Sequence, residues 1–360
     1  MRAIHLYVVF LIIATWSHLG FTQTDLDFFS ECSEEAIDSF MNGDLSKAIQ
    51  EAQTGLAEAE SGSFFFRDKR TDICLSLLRL LYMNSGRYSD AEHVARRLFE
   101  KYRNRYGTNS TETAAVMAML ADALTYQNKL SEAESLLKSS ISIKQEAFGG
   151  QSEYVAVTQV TLGTVFRQQG KSDAAEETYN TAASIMEKVH GSSYPGLATI
   201  LEELSLVYFA QKRFVEAETA LLRAISIREN QYGSHHFITA RDQADLATVQ
   251  VLLGKTEEAD GRFQAALAVL ESTSSPNEAM LDIILYSYAK ALVIAGVKLD
   301  QAEAYLKRSL TIREKALKPN NPRLVKALKT YAKLLRMTGR QQEAEVVVNR
   351  VQRLSRTNSN

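Results

Sequence analysis

The sequence predicts an all-α solenoid of stacked helix pairs, and three observations predict it. A marker of alanine followed by an acid recurs at Ala91-Glu92, Ala133-Glu134, Ala175-Glu176, Ala217-Glu218, Ala259-Asp260, Ala302-Glu303 and Ala344-Glu345, in steps of 42, 42, 42, 42, 43 and 42 residues. A fixed period in this range marks units that bury their apolar faces only by stacking on neighbours. Each period holds two segments whose apolar residues recur at helical steps of three and four. The four prolines, Pro195, Pro276, Pro319 and Pro322, all fall between periodic segments, as suits a chain of helices that proline would interrupt. With 360 residues, 45% of them apolar, the chain can bury a large core. Length alone would suggest two or three globular domains; the repeat makes one elongated array instead.

The N-terminus stands apart. A basic start at Met1-Arg2 precedes an unbroken apolar run from Leu6 to Ala14 and a mixed stretch with small residues to Thr22. This fits a secretory signal over residues 1–22, whose apolar stretch is about 7–15 residues long. Gly20 and Thr22 stand where cleavage wants small residues, leaving Gln23 first in the mature chain. An uncleaved membrane anchor is the other reading, although the run is short for a spanning helix of about 20 residues. Either reading places the array outside the cytosol, secreted or periplasmic. There a disulfide between Cys32 and Cys74, 42 residues apart and so near equivalent positions of two units, is permitted; two buried thiols are the alternative. Asn109-Ser110-Thr111 is a glycosylation acceptor pattern in an expected turn.

The array is expected over residues 23–354, as about eight helix pairs. Its first unit, about Asp27 to Ser61, is atypical in carrying Gly55 where later units carry alanine, as befits a terminal cap. The run Phe64-Phe65-Phe66 is too apolar for a solvated loop and is expected to pack under the first units. In the unit closing at Gly233, Leu201, Leu204, Val207 and Tyr208 form one helical face. After a polar break at Gln211-Lys212-Arg213, Ala217, Leu221, Ala224, Ile225 and Arg228 form a second, with the Arg228 charge free to reach water. Ala133, Ala175 and Ala217 are expected to face Ala121, Gly163 and Ser205, because paired helices approach closely only over small side chains; Leu124, Phe166 and Tyr208 fill the remaining space. Gly43, Gly86, Gly170, Gly254 and Gly339, five residues before a marker alanine, suit a left-handed turn. Ser89 with Glu92, and Ser131 with Glu134, have capping-box spacing. The tail, residues 355–360, is polar and expected to be disordered.

These residues resemble the tetratricopeptide repeat in its 42-residue form, and among such repeats those of the kinesin light chain class. The likeness lies in Glu216-Ala217-Glu218, Ala224-Ile225-Ser226-Ile227-Arg228-Glu229, Gly233 and His236. It recurs in Ser309-Leu310-Thr311-Ile312-Arg313-Glu314-Lys315 with Asn321-Pro322, and in Gly191 with Tyr194-Pro195. It covers about Asp27 to Leu354 and implies a right-handed superhelix whose first helices line a groove for a peptide. The class's peptide-holding asparagines are replaced by Ala118-Met119, Val160-Thr161 and Glu202-Glu203, and no long heptad region precedes the repeats. A motor-transport role is therefore not implied.

No catalytic constellation, cofactor loop or metal set is legible: His235-His236 has no third ligand at metal spacing, and there is no glycine-rich phosphate loop. The family register instead places Asp122, Thr125, Tyr126, Thr164, Arg167, Gln168, Thr199, Glu202, Phe209, Arg241, Thr248, Tyr286 and Lys290 in the groove. The stripe Lys326, Lys329, Lys333 and Arg336 completes it, spaced to share one helix face. From Leu299 to Asn360 there are 14 Lys and Arg against 5 Asp and Glu, in a chain of net charge −2. That polarity favours an acidic protein or peptide partner; a pI of 6.4 argues against nucleic acid. The expected function is a non-catalytic scaffold that binds a partner's peptide segment. The alternative is a membrane-anchored assembly factor that self-associates through its terminal repeats.

Overall fold

The computed structural model describes residues 35–40, 44–61, 64–272, 278–317 and 321–356, and they are helical apart from short connections. The signal or anchor, Cys32, Gly43, Pro276, Pro319, the Phe64–Phe66 side chains and the tail end lie outside the described residues and side chains. The chain divides into two compact units at Val189/His190.

The first unit contains a helical stretch at residues 35–40 and then α1 (Leu45–Ser61), α2 (Phe64–Asn84), α3 (Tyr88–Tyr106), α4 (Thr111–Tyr126), α5 (Leu130–Phe148), α6 (Glu153–Gln168) and α7 (Ser172–His190). The second contains α8 (Pro195–Ala210), α9 (Phe214–Tyr232), α10 (Phe237–Leu252), α11 (Thr256–Glu271), α12 (Glu278–Ala295), α13 (Leu299–Ala316), α14 (Pro322–Met337) and α15 (Gln341–Arg356). Even-numbered helices are the first of each pair, odd-numbered ones the second. In the first unit α3 lies against α2 and α4, and α5 against α4 and α6; in the second, α9 lies against α8 and α10, and α13 against α12 and α14. This is an all-α tetratricopeptide-type solenoid, in which second helices such as α3, α5, α9 and α13 are buried between two first helices of their own unit. Among the described residues no helix is long and apolar enough to cross a membrane.

The marker alanines are the contact points expected of them: Ala91, Ala133, Ala175, Ala217, Ala259, Ala302 and Ala344 are all fully buried. Gly163 shows why the opposing position must be small. A Cβ placed there would stand 2.7 Å from Tyr179 Cε1, and the Tyr179 ring is itself buried, its hydroxyl 2.9 Å from Thr164 Oγ1. Gly163→Ala is expected to destabilise the first unit by about 1–3 kcal/mol through overpacking, read from the urea midpoint.

The turn glycines Gly86, Gly170, Gly254 and Gly339 have φ of 72°, 75°, 80° and 77°. Asn128 and Lys212 hold the same turn position with φ of 61° and 62°, so the turn demands the left-handed region whatever the residue. Four expectations need correction. Pro195 and Pro322 do not merely separate helices; each opens one at its first turn, where the missing N–H is no loss. Arg228 does not reach water; it is 6% exposed and ion-paired. Thr125 and Thr248 do not face a groove; both are buried and donate to the carbonyls of Ala121 and Ala244. Ser89 and Ser131 do not cap. The helices start one residue earlier, at Tyr88 and Leu130, without a side-chain cap.

The marker acids have another task. Glu92 accepts from Gln127 Nε2 at 2.7 Å and Lys129 Nζ at 2.5 Å. Glu134 accepts from Gln169 and Lys171, Glu218 from Gln250 and Lys255, Asp260 from Lys298, and Glu303 from Arg340. Each of these five acids thus ties its second helix to the turn of the following pair. These bonds, led by the one from Lys138, hold the Glu134 carboxyl at about 2. Those on Glu303, led by Lys307, hold it at about 2 as well. A carboxyl with a depressed folded pKa stabilises fully above its unfolded value and loses that contribution as pH falls through the folded one. The melting temperature should therefore drop as pH falls from about 4.5 toward 2, and the Glu134→Gln, Glu303→Gln double variant should show a shallower drop in a calorimetric pH series.

Candidate functional site

In the second unit α14 sorts its residues by chemistry. Asn321 caps it by accepting from Arg323 N at 2.9 Å. Leu324, Ala327, Leu328, Ala332, Leu334 and Leu335 are buried, while Lys326, Lys329, Lys333 and Arg336 are all exposed. Among the described residues none of these four side chains has an ion pair. On the neighbouring first helix, α12, Lys290 is exposed on the face that also presents Ile283 and Ile294, at 48% and 54% exposure. A bond between Tyr286 and Thr330, 3.3 Å, fixes α12 against α14. Lys290 follows Tyr286 by about one turn of α12, and Lys333 follows Thr330 by about one turn of α14.

Farther back in the second unit, the site residues serve the chain itself. Arg241 donates to Glu202 at 2.6 Å and to Asp242 at 3.2 Å. Arg228 donates to Glu202 at 2.9 Å and to Asp242, with Thr199 Oγ1 at 3.5 Å. Asp245 stands beside them, pushed up to about 7 by burial. Oxygens of Glu202, Asp242 and Asp245 come within 4.8 Å of one another, but Arg228 and Arg241 already balance most of that charge. Phe209 packs edge-on against Phe214, centroids 5.6 Å apart.

In the first unit Tyr126 is 56% exposed and stacks on Tyr88 at 4.9 Å. Arg167 is half-buried and Gln168 exposed at the end of α6. Asp122, expected in a groove, pairs with the buried Arg79 at 3.5 Å. Thr164 is held by Tyr179. Asn109 is exposed in its turn, and Cys74 is 1% exposed.

One residue escapes the family register. Lys144, on the second helix α5, is 7% exposed and donates to Thr158 Oγ1 at 2.8 Å. Burial pushes its ammonium down to about 8. It lines a cavity of about 240 Å³ with Arg79, Ala118, Asp122, Tyr154 and Thr158. A larger cavity, about 580 Å³, lies along α10 and α11. Its one cation, Arg262, is bonded to Gln243, Gln250 and Glu258, so that cavity offers no open charge.

No curated protein matches the chain. Solved structures match its fold. BtubC (BKLC) from P. vanneervenii is 18% identical, with 64% of this chain and 94% of that one covered, at a TM-score of 0.55. The apo form of the quorum sensor NprR from B. thuringiensis is 13% identical, with 90% and 86% covered, at 0.64. A Rap protein complexed with competence and sporulation factor is 14% identical, with 79% and 74% covered, at 0.58. The family model described as tetratricopeptide repeat matches residues 75–146, 154–230, 196–272 and 283–357. With most of its length matched in register with the observed helix pairs, the chain belongs to the tetratricopeptide repeat family.

Proposed function

We propose that this interaction scaffold is non-catalytic and binds a peptide segment of a protein partner along the exposed faces of its first helices, with acidic residues of the peptide over the α12–α14 surface. One observation carries the reading. The buried arginines Arg79, Arg228 and Arg313 each meet a carboxylate of the chain, as Arg313 does at Asp282, 2.6 Å away, whereas among the described residues Lys326, Lys329, Lys333 and Arg336 stand exposed and without an ion pair on one face. Clustered cations of one sign create a field that draws an acidic ligand. The fold supports the mode of use, since one similar solved structure is a complex, that of a Rap protein with competence and sporulation factor.

The test is capture of a partner by pull-down with the wild-type chain and with Lys326→Glu, Lys329→Glu, Lys333→Glu, Arg336→Glu. Reversal of four exposed charges should abolish capture while leaving the melting temperature within about 2 °C, because exposed substitutions change stability little. Equal capture by both forms would refute the assignment. We further propose that the protein works outside the cytosol, on the signal pattern over residues 1–22. Mass spectrometry of the mature N-terminus should find Gln23 first; an intact Met1 start would contradict cleavage.

A further inference from the structure

Lys144 has three ammonium protons to place, and the described residues offer it Thr158 Oγ1 but no carboxylate within ion-pair reach. A buried charge left so is costly unless something completes it. The repeat shows what completion looks like. Two periods on, Arg228 occupies the register of Lys144, enclosed by Glu202 at 2.9 Å and by Asp242. Two periods before Glu202 stands Ala118, and two periods before Asp242 stands Thr158. At the next cation of that register, Arg313 meets Asp282 at 2.6 Å, while Met186 and Leu270 replace the cation by apolar side chains. Around Arg313 the positions of Glu202 and Asp242 hold Ser287 and Ala327, and Asp282 supplies the carboxylate from another place on α12; around Lys144, among the described residues, no carboxylate takes that part. The two substituted residues, Ala118 and Thr158, both line the 240 Å³ cavity. Its sole acid, Asp122, stands 3.5 Å from Arg79, so two cations and one carboxylate leave a single positive charge open.

We propose that this cavity is a carboxylate-binding site, in which one carboxylate of a bound polypeptide takes the place around Lys144 that Glu202 and Asp242 hold around Arg228. The assignment deepens, and rests on, the reading that the first helices bind peptide. It selects a monoanion: one charge is open, and Asp122 repels a second negative charge on the ligand. Both an acidic side chain and a chain's own C-terminus present that group.

The test titrates small probes into the full chain carrying ¹³C-labelled lysine, with the Lys144 Cε resonance assigned by its loss in Lys144→Met. The probes are N-acetylglutamate α-amide, N-acetylglycine, N-acetylglutamine amide and inorganic phosphate. Saturable shifts are expected from the two carboxylates and none from the glutamine compound, with phosphate at least about tenfold weaker. The tighter of the two carboxylates identifies side chain or C-terminus as the source. Ala118→Glu and Thr158→Asp restore the acids found around Arg228, and each should weaken carboxylate binding about tenfold or more with helix content retained. No saturable shift from either carboxylate, equal binding of phosphate, or unchanged binding in both acid variants would overturn the site. The readout is the Lys144 resonance and not the α14 stripe, so failure here and failure of peptide capture are read separately.

Discussion

Replacing Asp282 by alanine is expected to destabilise the second unit by about 3–5 kcal/mol, the cost of stranding a buried charge. Asp282 is 3% exposed and accepts from Ser309 Oγ at 2.6 Å, Arg313 Nε at 2.6 Å and Arg323 Nη2 at 3.0 Å. Arg313 is as buried as its partner and also donates to the Arg323 carbonyl. That contact cannot replace the lost counter-charge. The double variant Asp282→Leu, Arg313→Met removes both charges at once and should recover most of the loss, since a buried pair contributes little net stability beyond a packed apolar pair. Urea titrations of the three proteins decide it. An Asp282→Ala loss below about 1 kcal/mol, the range of exposed pairs, would show that water reaches Arg313.

A second loss of about 3–5 kcal/mol is expected for Phe263→Ala. Phe263 is fully buried and lies parallel to Tyr288 with centroids 3.9 Å apart, while Tyr305 meets it edge-on at 5.2 Å. These rings come from α11, α12 and α13, so one side chain joins the second helices of two pairs across the first helix between them. Truncation leaves a cavity that rigid helices cannot close. As the control, Val346→Ala on α15, where the side chain is 66% exposed, should change stability by no more than about 0.5 kcal/mol.

The fold was legible because its physics repeats. A marker alanine every 42 residues, with glycine five places before it, encodes close helix approach and a left-handed turn; both are local requirements that recur in every unit. Asn128 and Lys212 show the limit, for the backbone there follows the turn and not the residue type. The marker acids were legible as a pattern but misread as caps, because their partners, such as Lys129 for Glu92, lie in the following pair. The site was less legible. The stripe on α14 follows from spacing on one helix. Arg241, by contrast, looks equally available in the sequence, yet Glu202 and Asp242 occupy it. Lys144 stands on a second helix, outside the register by which the resemblance marks groove residues. The signal existed nonetheless: comparing residues 118, 144 and 158 with 202, 228 and 242 shows a cation kept and two acids lost.

Hydrogen–deuterium exchange of the full chain, with and without a captured partner peptide, tests the central claim most directly. Binding along the first helices predicts slowed exchange in α12 and α14, and in α4 and α6, with the outer helices α13 and α15 unchanged. Protection confined to α13, α15 or the connections between pairs would contradict it.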